Sequence, residues 1–205
     1  MKIVLAGKSV VLGVAGGIAA YQAVDVIAQL RNRWADVYVI MTRAATQFIS
    51  PLSLETVSLH PVVTDMFAEP KHWNIPHISL AQIADIFLIA PATANIIGKI
   101  ANGIADDMLS TTVMATKAPV VFAPAMNNSM WLNPVVQNNV KKLKKLSYQF
   151  VEPEYGPMAC GGEGWGRLAK IQTIISKLME VSDEVDKRRL QKKEGTGKID
   201  GGDEP

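Results

Sequence analysis

Apolar runs at residues 10–14, 37–41, 85–90 and 119–123 each end in small or polar residues, and helical spacing follows each of them. Such runs lack the alternation of a strand with one wet face, so each reads as a strand buried on both faces. Strands of this kind, joined through helices, assemble as a parallel sheet with right-handed crossovers. The pattern predicts an α/β chain: a doubly wound parallel sheet, a Rossmann or flavodoxin-like three-layer sandwich. A hydrophobic fraction of 48% and a mean hydropathy of +0.14 fit a sheet covered on both sides.

Ile18, Val24, Ile27 and Leu30 recur at helical spacing and predict an amphipathic helix to about residue 33. Ser50 before Pro51 reads as an N-cap with Pro at the first helical position, which starts a second helix. Further helices are predicted at 79–83, from residue 96, at 106–116, after Asn133-Pro134 and at 170–181. Residues 61–64 read as a short strand, 148–151 as a last strand, and 152–169 as a Gly-rich loop. Residues 1–181 thus form one domain. Residues 182–205 are charged, Gly-rich and nearly free of large apolar groups, so they cannot offset their ordering entropy by burial. They read as a flexible tail or a truncated linker.

Several function classes are excluded. The formal net charge is +2 without a clustered basic stripe in the body, which argues against nucleic acid. One cysteine excludes a disulfide framework and fits a reducing cytoplasm. Apolar stretches are interrupted well short of a membrane span, and no signal-peptide layout opens the chain. The residues therefore predict a cytoplasmic protein with no membrane partner. No His/Cys/Asp spacing resembles a metal site, and no Gly-x-Ser-x-Gly elbow occurs.

In a doubly wound sheet the ligand sits beyond the carboxyl ends of the strands. The loops that follow those ends are 15–19, 42–46, 91–95 and 124–131. Gly16, Gly17 and Ile18 form either a tight turn or an anion seat of free N–H groups at a helix start. The turn is not a GxGxxG fingerprint. The next strand ends in Thr42 and Arg43, which suit a monophosphate better than a ribose diol. Thr93 and Asn95 serve as helix caps, as binders of a phosphate or polyol chain, or both. Residues 124–131, with Asn127, Met126, Met130 and Trp131, read as a helix entry or as a loop for a flat, partly apolar small molecule. His60 and His72 read as surface residues, and His77 alone reads as structural. Cys160, with glycines at 161, 162, 164 and 166, suggests a flap whose thiol does acid–base or redox work.

Taken in order, residues 16–21, His77, residues 91–95, residues 124–131 and the Cys160 flap resemble the homo-oligomeric flavin-containing cysteine decarboxylases, over about residues 6–181. The resemblance is greatest to members acting on 4′-phosphopantothenoylcysteine in coenzyme A biosynthesis. It implies an FMN site at Gly16, Gly17, Ile18, Thr42, Ala44, Thr93, Ala94, Asn95, Ile96 and Ala125. It implies catalytic roles for His77 and Cys160, a substrate-carboxylate grip at Asn127, and flap contacts from Pro157, Met158 and Ala159. Ile96 stands where a Thr is usual, and Gly162 where the residue is often acidic. The implied chemistry oxidises the thiol to a thioaldehyde, releases carbon dioxide as an enethiolate forms, and returns hydride and a proton to give 4′-phosphopantetheine. Also implied are a homo-oligomer, as a trimer or an assembly of trimers, and a phosphopantothenoylcysteine synthetase, fused or separate. Rival readings are a peptidyl-cysteine decarboxylase, whose family lacks the flap thiol, and a non-catalytic FMN-binding regulatory subunit.

Overall fold

Parity along the strands sets the layering. In β1 (Ser9–Val14), Val10, Leu12 and Val14 join one apolar core while Val11 joins another, all fully buried. The same division runs through β2 (Asp36–Met41), β3 (Ile86–Ala92) and β4 (Val120–Pro124), as side chains two apart share a face. With β5 (Gln149–Phe150), the order is β2-β1-β3-β4-β5 and every pairing is parallel. The computed structural model describes residues 5–67, 76–159 and 161–196.

On one face, α1 (Ala23–Arg31), α2 (Pro51–Ser58) and α8 (Ile171–Thr196) bring Ile27, Leu54, Ile174 and Leu178 onto Leu12, Val39 and Leu88. On the other, α3 (Pro76–Ile83), α4 (Ala94–Ala101), α5 (Met108–Ala115) and α7 (Pro134–Lys145) bring Leu80, Ile97, Leu109 and Leu143 onto Phe87, Ile89 and Phe122. Phe87 and Phe122 are fully buried, each stabilising by about 1.5–3 kcal/mol. The order 2-1-3-4-5 is that of flavodoxin-like sheets, so the predicted fold class is the observed one. Winding reverses between β1 and β3, and the loops leaving those two strands part there to open a crevice.

Four elements differ from the sequence reading. The strand expected at 61–64 is a single bridge between Val63 and Ile40, because Pro61 has no N–H to extend the ladder. The first helix begins with a 3-10 turn at Ile18–Gln22. The loop expected at 152–169 contains an antiparallel hairpin, β6 (Glu154–Pro157) with β7 (Glu163–Arg167), braced by the Tyr155–Trp165 edge contact. The last helix does not stop near 181: Ser182 is buried, Asp186 pairs with Lys8, and α8 continues to Thr196. Residues 197–205 of the expected tail lie outside the described residues. Among the described residues no helix is long and apolar enough to cross a membrane.

Candidate functional site

The carboxyl ends of β1 to β4 open into one cavity of about 1030 Å³. That is near the upper end of ligand pockets, roughly 300–1,000 Å³. Its wall includes Gly16, Gly17, Ile18, Thr42, Ala44, Thr93, Ala94, Asn95, Ile96 and Ala125, together with Asn127, Pro157, Met158 and Ala159. A cavity of about 1040 Å³ lies at the opposite ends of β3 and β4, beside Asp85, Lys117 and Tyr148. It borders no strand-to-helix turn with free N–H groups, so the first cavity is the candidate site.

Sterics explain the turn after β1. A Cβ on Gly16 would lie 2.4 Å from the Ala44 Cβ and 2.7 Å from its carbonyl carbon. Only glycine lets the turns after β1 and β2 lie against each other. Opposite, Thr93 caps α4, its Oγ1 accepting from the Ile96 N–H at 3.4 Å. The first-turn N–H groups of α4 have no intrahelical acceptors, and its dipole favours an anion at this end. Thr42 Oγ1 accepts from the Ala45 N–H at 3.2 Å and retains its own O–H as a donor. This corner suits a phosphate.

The far wall is built differently. Asn127 caps α6 (Asn128–Trp131) through Oδ1, which accepts from the Ser129 N–H at 2.8 Å. The donor end of its amide is therefore distinct from the end that holds the helix. Asn128 Oδ1 accepts from the Trp165 N–H at 2.8 Å, and the Met126 N–H donates to the Gly166 carbonyl at 2.8 Å. Gly166 has φ +117, and a Cβ there would lie 2.1 Å from the Met126 oxygen. The hairpin thus docks its backbone directly on residues 126–128. Pro157, Met158 and Ala159, at its turn, reach the cavity. Cys160 lies outside the described residues.

His77 sits in the first turn of α3 and is not part of the cavity wall. Its buried Nδ1 has no hydrogen-bond partner among the described residues. His72 lies outside the described residues. Arg43, expected at the end of the second strand, and Tyr21, from the 16–21 motif, also line the cavity, as do Lys99, Asp107, Arg167 and Leu168, which the sequence reading passed over. Lys99 lies four residues after Asn95, on the same helix face, and that spacing was the available signal.

Lys99 Nζ is 2.7 Å from both Asp106 Oδ1 and Asp107 Oδ2, tying α4 to α5. Burial pushes the Asp107 carboxyl up, but hydrogen bonds from Lys99 and Ser110 outweigh it and hold the group below its ordinary 3.8. A depressed carboxylate contributes stability above its unfolded value, and that contribution is lost as pH falls through the folded value. Acid unfolding of the wild type is therefore expected to steepen below about pH 4. Lys99→Met should flatten that limb of the stability–pH curve. Superimposable curves from pH 6 to 2 would dismiss this tether.

A family model described as Flavoprotein matches residues 4–182. The coenzyme A biosynthesis bifunctional protein CoaBC of Bacillus subtilis is 48% identical over 176 residues, covering 86% of this chain and 43% of that protein. The chain thus spans less than half the length of that bifunctional relative. A probable phosphopantothenoylcysteine decarboxylase of Streptococcus mutans is 43% identical over 175 residues, covering 84% of this chain and 98% of the other. Among solved structures, the FMN-dependent cysteine decarboxylase SpaF superposes with a TM-score of 0.77 at 36% identity, covering 87% of this chain and 99% of that one.

Proposed function

The chain belongs to the Flavoprotein family, and on that premise we propose that it binds FMN and decarboxylates 4′-phosphopantothenoylcysteine to 4′-phosphopantetheine, a step of coenzyme A biosynthesis. One observation carries the reading: a single cavity joins a phosphate-type corner to Asn127 beneath a docked hairpin. The residues fit the cofactor. The corner supplies N–H and O–H donors where glycine keeps the backbone bare, and Ile18 and Met130 offer apolar surface for a flat ring.

Bound flavin supplies the reversible two-electron chemistry that a cysteine carboxylate otherwise lacks. The chain supplies position, shielding and protons. Gly16, Gly17, Ile18, Thr42, Ala44, Thr93, Ala94, Asn95, Ile96 and Ala125 hold the cofactor. The Asn127 amide donates to the substrate carboxylate, and Pro157, Met158 and Ala159 cover the substrate. Cys160 follows directly on Ala159 and gives the proton of the last step. His77 assists proton transfer from a neighbouring subunit.

The chain acts as a homo-oligomer, a trimer or an assembly of trimers. Ile18 and Tyr21, 60% and 57% exposed on the cavity wall, are the apolar surface a second copy covers. The decarboxylase domain extends past residue 181 into α8, where Ser182 is buried and Asp186 pairs with Lys8. The protein works in the cytoplasm, with a phosphopantothenoylcysteine synthetase, fused or separate, supplying substrate.

Anaerobic turnover of 4′-phosphopantothenoylcysteine by FMN-loaded protein, with product masses read out, tests the reading. Wild type should yield 4′-phosphopantetheine, and Cys160→Ser an oxidised, decarboxylated enethiol. Flavin binding without carbon dioxide release would point instead to a regulatory subunit. Normal product from Cys160→Ser would remove the thiol from the final protonation.

A further inference from the structure

We infer that Arg167 recognises the phosphate monoester of the substrate, an inference that rests on the function proposed above. Arg167 ends β7 and lines the cavity. Its side chain lies across the hairpin over buried Gly156, where a Cβ would stand 3.3 Å from Nη1 and 3.7 Å from Cδ. Among the described residues its guanidinium has no hydrogen-bond or ion-pair partner. Lys99, also on the cavity wall, is already held by Asp106 and Asp107.

Three ligand anions must be matched to this wall: the cofactor phosphate, the substrate carboxylate and the substrate phosphate. The first belongs to the corner of Gly16, Thr42 and Thr93, with Arg43 beside it at the end of β2. In this sheet β2 and β4 are three strand spacings apart, about 14 Å. Arg167 is tied to the β4 side, because Gly166 bonds Met126.

The carboxylate must leave as neutral carbon dioxide, with its electron pair passing into the substrate. A guanidinium fixed on it would stabilise the ground state more than the transition state and slow the reaction. The neutral amide of Asn127 is the better grip. The group that does not react can take the strong, forked contact at no such cost, and phosphate geometry matches a guanidinium.

The test uses FMN-loaded wild type, Arg167→Ala and Arg167→Lys on 4′-phosphopantothenoylcysteine and on unphosphorylated pantothenoylcysteine. Wild type should favour the phosphorylated substrate. Arg167→Ala should raise KM for it about 10- to 100-fold with kcat little changed, and leave kcat/KM for the unphosphorylated substrate as it was. Arg167→Lys should recover part of the loss. Inorganic phosphate should compete with substrate in wild type and much less in Arg167→Ala. Equal losses on both substrates, or no loss on either, overturn the inference alone. A wild type that turns over neither substrate overturns the function and the inference with it.

Discussion

Asn127→Asp should lower kcat/KM by about a thousandfold or more while the melting temperature stays near that of wild type. Asp caps a helix as well as Asn does, and its charge suits a helix start. The 2.8 Å bond to Ser129 therefore survives the exchange. What changes is the other end of the side chain, where an NH₂ donor becomes an anionic oxygen facing the proposed carboxylate. Losing a hydrogen bond to a charged group costs about 1.5–3 kcal/mol, and juxtaposed like charges add several more. A total of about 4 kcal/mol corresponds to a factor near 10³. Asn127→Ala separates the two terms. It should cost about 1 kcal/mol of stability through the lost cap, yet retain more activity than Asp because nothing repels the substrate. Melting curves and kcat/KM on both variants decide. Asp more active than Ala would mean that Asn127 does not meet the carboxylate.

The strands were legible because a sheet covered on both faces needs uninterrupted apolar runs, and residues 85–90 can be little else. The corner at Gly16, Thr42 and Thr93 was legible for a topological reason: parallel strands deliver all their carboxyl ends to one edge. The hairpin was not legible, and the cause is the site itself. Gly164 and Gly166 stand where a Cβ would strike Asn128 or Met126, and Gly156 lies beneath Arg167. These positions carry no side chains whose alternation could announce a strand. Arg167 was missed with the hairpin that carries it. The length of α8 was hidden by its charged sequence, which reads as solvated tail until Asp186 is seen to reach Lys8. Lys99 and Asp107 meet only once α4 and α5 pack, so the ion pair needed the fold. His77 drew its proposed role from resemblance, and the chain by itself leaves it off the cavity wall.

Gly166→Ala separates cofactor binding from turnover most sharply. The new Cβ would lie 2.1 Å from the Met126 oxygen and 3.2 Å from its carbonyl carbon, both backbone atoms. Residue 126 has little freedom to retreat, since the Ala125 N–H next to it bonds Ala92 at 3.0 Å and fixes the loop to β3. The hairpin must lift instead, losing the Met126–Gly166 bond and carrying Arg167 and residues 157–159 with it. Walls made by residues 16–18, 42–44 and 93–96 are untouched. The variant should keep its bound flavin spectrum and lose at least about 100-fold in kcat/KM, as expected when positioning groups move by an ångström or more. Gly103→Ala is the control, for Gly103 also has a positive φ, +70, but a Cβ there meets nothing within 4 Å. It should cost about 1 kcal/mol of strain, leaving turnover unchanged. If both variants lose the same stability and neither loses activity, the docked hairpin is packing rather than part of the site. If Gly166→Ala sheds its flavin, the hairpin holds cofactor as well as substrate, and the division of the cavity drawn from the two walls fails.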